Sequence, residues 1–127
     1  MTYMTSGINL SPVMALFASA DIEAAPGKAV KLTADGMGEV CSAAGEMVAG
    51  IITLDHQDKI AKDEPVTIQI SGCGRVLTGG EVAIGDELAT DANGAFVKST
   101  SGYVRAIALE AGAAGALVRA RLVDYKL

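Results

Sequence analysis

From Pro26 onward, apolar residues arrive in short bursts separated by Gly, Asp and Asn. Ala29-Val30-Lys31-Leu32 leads into Ala34-Asp35-Gly36, a tight-turn signal, and out through Glu39-Val40-Cys41, the pattern of a hairpin. Met47 to Thr53 is a continuous apolar run of the kind a buried strand shows, and Leu54 to Glu64 is a charged loop. Val66-Thr67-Ile68-Gln69-Ile70 alternates, which places Val66, Ile68 and Ile70 on one face of a strand and Thr67 and Gln69 on the other. A further short strand, Arg75-Val76-Leu77, ends at Gly79-Gly80.

The order then recurs. Glu87 to Thr90 runs through Asp91-Ala92-Asn93-Gly94 into Ala95-Phe96-Val97; Gly102 to Leu109 is a second buried run, and Ala116 to Val123 closes the unit after a glycine-rich loop. Side by side, Leu32 to Val40 matches Leu88 to Val97 with one inserted residue. Gly45 to Ala49 matches Gly102 to Ala106, and Val66 to Ile70 matches the region of Val118. The chain therefore reads as two copies of one strand–turn–strand–strand–strand unit. No window beyond Pro26 carries a helical period, since Gly112 and Gly115 interrupt the alanines between them. About seven to nine short strands at roughly ten-residue spacing predict an all-β domain, a small sandwich or barrel, over residues 26–127.

Residues 1–25 read differently. They hold no Lys or Arg and no two-residue alternation, yet they carry Ile8, Leu10, Val13, Met14, Leu16 and Phe17. The expectation is an extended N-terminal arm that docks on a surface of its own chain or a neighbour's. Removal of residues 1–20 is then expected to leave the domain folded.

Composition narrows the chemistry. Half of the 127 residues are hydrophobic but only 4% are aromatic and none is Trp, so the core is aliphatic. A net charge of −5 argues against a nucleic-acid partner, whose phosphates call for clustered Lys and Arg. Two cysteines and one histidine fall short of a structural zinc set. No run approaches the about 18 apolar residues of a membrane span, and the short stretch from Val13 to Ala20 has no preceding basic residue to make it a secretion signal. His56 between Asp55 and Asp58 reads as a solvated loop residue, and Cys73 between two glycines as an inert thiol without an activating neighbour. Asp35, Asp91 and Asn93 suit turns, not calcium, and the glycine pairs lack the context of a phosphate loop. Arg75, Arg105, Arg119 and Arg121 read as solvated strand residues. No catalytic constellation emerges, and no enzyme activity, cofactor, metal or small-molecule substrate is expected.

One stretch has a more specific grammar. Val82-Ala-Ile-Gly-Asp-Glu-Leu88 precedes the Thr90-Asp-Ala-Asn-Gly94 turn; Gly102-Tyr-Val-Arg-Ala-Ile-Ala-Leu109, a Gly/Ala-rich loop and a valine-rich strand follow. Over residues 26–123 this resembles the capsid cement, or head decoration, proteins of tailed bacteriophages. The resemblance implies a small all-β structural protein on the outer capsid surface of the virion, commonly a homotrimer, whose partner is the major capsid protein. The candidate capsid contacts are Ile8, Leu10, Met14 and Phe17 on the arm, with Tyr125 at the other end. Two other readings stand beside it: a small hydrolase or transferase using Cys73 and His56, and a phage tail or cell-surface binding module. The scarcity of aromatic residues counts against a sugar-binding version of the latter.

Overall fold

The computed structural model describes residues 13–54, 57–100 and 102–126. Every regular element among them is a strand: β1 (Val13–Phe17), β2 (Ala29–Leu32), β3 (Gly38–Val40), β4 (Gly50–Ile52), β5 (Pro65–Gln69), β6 (Cys73–Leu77), β7 (Glu87–Thr90), β8 (Phe96–Lys98), β9 (Tyr103–Ala108) and β10 (Leu117–Lys126). They form two five-stranded antiparallel sheets, in the orders β1-β5-β4-β2-β3 and β6-β10-β9-β7-β8. The second order is the first with every strand advanced by five, so the expected internal repeat is a repeat of topology. In each half an isolated parallel bridge, Ala18 to Gly38 or Thr78 to Phe96, joins the end of the first strand to the third, and the sheet curls back on itself like a small barrel.

Backbone hydrogen bonds set the register of the repeat. Thr33 N–H donates to Met37 C=O at 2.9 Å and Asp91 N–H to Ala95 C=O at 2.8 Å, while Gly36 and Gly94 occupy the same left-handed turn position at φ 79° and 80°. Thr33 Oγ1 accepts the N–H of Met37 at 3.1 Å as Asp91 Oδ1 accepts that of Ala95 at 3.1 Å. Thr33 is thus the counterpart of Asp91, and Asp35 that of Asn93, with no inserted residue. Matching Asp35 to Asp91 by identity is misleading because what the turn requires is a side-chain acceptor at its first position, and Thr and Asp both supply one. The β4–β9 match also moves by one residue: Val30 pairs with Gly50 and Leu88 with Ala106. Val66 does correspond to Val118, since their strands meet Leu16 and Val76 in the same way.

The two cores reach the same filling by different means. In the first half Leu16, Val30, Ile52, Val66 and Ile68 are buried together. Their counterparts in the second are Val76, Leu88, Ala108, Val118 and Ala120, where two isoleucines have become alanines. Phe96 takes up that volume and is fully buried, and its counterpart in the first half is Gly38. A Cβ on Gly38 would already lie 3.2 Å from Val30 Cγ1. The second core is extended by Ala29, Cys41, Val48 and Ile51 of the first half, which is what joins the two units.

Three expectations need correction. Residues 13–25 are not an arm: Val13–Phe17 is the first strand, paired along its length with β5, and Leu16, Ala18, Ile22 and Ala25 are buried in the first core. The sequence hides this strand because only Leu16 of the five is buried, so no alternation shows. The apolar run from Met47 yields only the short strand Gly50–Ile52, and Met47 is exposed. Arg105 is not solvated; it sits at a bulge in the β9–β10 ladder and is 7% exposed, with Nη1 donating to Val123 C=O at 3.1 Å.

Candidate functional surface

The residues singled out for chemistry are described only in part. His56 lies outside the described residues, and with it any pairing to Cys73; Ile8 and Leu10 lie outside them as well. Cys41 and Cys73 are both free thiols, one buried and one exposed. Burial pushes the Cys41 thiol up to about 12, so it stays protonated at neutral pH. A thiol reagent should therefore titrate one cysteine, Cys73, in the native chain and the second only in denaturant. Equal rates for both thiols would contradict the placement of Cys41.

The charged side chains that do cluster are engaged in holding turns. Lys31 Nζ lies 2.8 Å from Glu46 and 3.4 Å from Glu39. The Lys31 hydrogen bond holds Glu46 below the usual carboxylate range, and the same bond raises the lysine. Glu110 accepts the backbone N–H of Arg119 at 2.9 Å and pairs with Arg75 Nη1 at 3.0 Å. The Arg119 N–H, then the charge of Arg75, lower its pKa. Arg75 and Arg119 are cross-strand neighbours, so one internal carboxylate serves both. Asp86 accepts the N–H of Ala83 at 2.9 Å in the turn before β7 and lies 4.0 Å from Lys98. These two face a surface depression of about 640 Å³, also lined by Glu81, Val82 and Gly112. It presents no nucleophile, and among the described residues no group of His, Cys, Asp and Glu is arranged to hold a metal.

What stands out instead is apolar surface. Val13, Met14, Phe17 and Leu32 on the first sheet are exposed, as are Ile84, Leu117 and Tyr125 on the second half. The structure thus places the candidate contacts Met14 and Phe17 on β1 and Tyr125 on β10, in different sheets, each with its side chain accessible. The Tyr125 hydroxyl donates to Glu87, and that bond raises its pKa. Sequence reasoning misses Leu32 and Ile84. Leu32 looks like an ordinary strand residue, and Ile84 lies beside a turn where no periodicity flags it.

The fold and surface define a duplicated all-β protein with exposed apolar side chains on both halves. No protein-family model matches the chain, and no curated protein matches it. Among solved structures, it is similar in fold to the N base of the head fiber protein gp8.5 of bacteriophage phi29. The TM-score is 0.65 at 20% sequence identity, and the match covers 91% of this chain and 96% of that one.

Proposed function

We propose that this chain is a structural component of a tailed-phage head: a capsid decoration, or cement, protein that binds the outer surface and stabilises contacts between major capsid subunits. It acts without enzymatic chemistry and as a homotrimer. The observation that carries this reading is the fold shared with a phage head fiber base over 91% of the chain. The turn grammar of residues 82–123 supports it independently. The physics asks for no reactive site. Many weak contacts repeated across capsid seams add by effective concentration, so a small unit with modest apolar patches suffices. The acidic balance of −5 suits an exterior position away from the packaged genome.

Co-sedimentation of the purified chain with expanded heads and with unexpanded precursor heads tests the reading. Saturable binding to expanded heads, at a fixed ratio to the major capsid protein, is the expected result. No binding to either form would overturn decoration and favour the tail or cell-surface module.

A further inference from the structure

The joint between the two halves is not reciprocal. Across it Leu77 N–H donates to Gly27 C=O at 2.9 Å and Ala29 N–H to Gly94 C=O at 2.8 Å. In the repeat, Phe17 corresponds to Leu77, Gly85 to Gly27, Glu87 to Ala29 and Gly36 to Gly94. A two-fold relation between the halves would repeat each bond with the roles exchanged, Phe17 to Gly85 and Glu87 to Gly36. Neither bond exists among the described residues. A Cβ added at Gly27 would lie 2.6 Å from Leu117 Cδ2 and at Gly94 2.4 Å from Val40 Cγ1, whereas at Gly85 and Gly36 it would meet nothing within 4 Å. The halves are therefore joined head to tail, through two different faces.

Such a joint leaves one face of each kind unused, and the unused face of the first half is apolar. Its exposed residues are the repeat counterparts of those the second half turns into the joint. Leu77 makes the bond to Gly27, and its counterpart Phe17 is 59% exposed. Thr90, whose C=O accepts the N–H of Gly45 at 2.9 Å, is 1% exposed; its counterpart Leu32 is 53% exposed. A Cβ on Gly74 would press on Gln69 Oε1 at 2.6 Å across the joint, and its counterpart Met14 is exposed. The complementary unused face, on the second half, carries Gly85 with Ile84 beside it at 73% exposure. It is more polar than the face buried inside the chain, because Glu87 stands where the first half has Ala29.

We propose that a second copy of this chain occupies these faces, joined to the first by the same head-to-tail contact that holds the halves together. Phe17 N–H of one copy meets Gly85 C=O of the next, and Glu87 N–H meets Gly36 C=O. Repetition of a head-to-tail contact consumes every face only when it closes into a ring. This deepens the homotrimer of the proposed function by naming its interface, but it rests on the repeat and involves no phage head. It also assigns Met14 and Phe17 to a neighbouring copy ahead of the capsid.

Sedimentation velocity of the full chain, of Phe17→Asp and of Ile84→Asp tests it. Both positions are exposed within one chain, so each variant should keep the far-UV circular dichroism of the unsubstituted protein and melt lower only by what the lost interface contributed. The unsubstituted chain is expected to be oligomeric and each variant monomeric. An equimolar mixture of the two variants should form a one-to-one dimer and nothing larger, since one variant keeps the intact Gly85 face and the other the intact Phe17 face. An oligomer that survives both substitutions would overturn the proposal, as would variants that fail to pair in the mixture. A monomeric chain that assembles only once residues 1–12 are removed would give the face to its own N-terminal segment and overturn it too. If the ring forms but does not sediment with heads, the interface stands and the decoration reading falls.

Discussion

Deletion of residues 1–20 is expected to destroy cooperative folding of the first half, not to release a free arm. The deletion removes β1, whose partner β5 carries the fully buried Val66 and Ile68. It also removes Leu16 and Ala18 from the core, along with Ala18 N–H to Glu64 C=O, which extends the β1–β5 pairing, and Ser19 N–H to Gly38 C=O, which closes the curled sheet, both at 2.9 Å. Truncation of Leu16 alone, as Leu16→Ala, should cost about 2–5 kcal/mol. Against a whole-domain stability of about 5–15 kcal/mol, the loss of a complete strand with its core residues is not survivable. Urea unfolding followed by circular dichroism reads this directly: the single transition of the full chain should be lost or moved far down. An unchanged midpoint in the deleted chain would show that residues 13–20 hold nothing together.

The second large effect is expected at Phe96. It is the largest fully buried side chain among the described residues, and Phe96→Ala should cost about 3–5 kcal/mol because the cavity cannot collapse against neighbours as small as Ala108 and Ala120. The first half shows how that space is filled without an aromatic ring, with Ile52 and Ile68 at the positions of Ala108 and Ala120. Adding Ala108→Ile to the Phe96→Ala variant should therefore recover part of the loss, while Ala108→Ile alone should overpack and destabilise. Denaturation midpoints of the three variants decide it. A loss under about 1 kcal/mol for Phe96→Ala would mean that the second core is not packed around this ring.

Much of the architecture is legible in the order of residues alone. Turns at residues 33–36 and 91–94 follow from an acceptor side chain and a glycine three positions later, a local requirement that local sequence can express. The clean alternation of Val66 to Gln69 becomes a strand with Val66 and Ile68 inward, as the period of two demands. Two corrections come from non-local packing. Val13 to Phe17 is a strand because β5 lies beside it, although its own residues show no period. Arg105 is buried because the ladder bulges at that residue, a feature with no signature in its neighbours.

The candidate surface divides in the same way. That Phe17, Leu32 and Ile84 are apolar is written in the sequence; that they are exposed follows only from how the halves meet. By itself the sequence determined the all-β class, the turns and the existence of two copies, because each depends on residues within one hairpin's reach. Only the tertiary structure decided the register of the repeat, the exchange of two isoleucines for one phenylalanine between the cores, and the head-to-tail joint. Those depend on which surfaces come together after each half has folded. Two similar half-sequences do not encode whether they meet face to face or in file; that is set by the packing of Gly27 on Leu77 and Gly94 on Ala29, residues far apart along the chain.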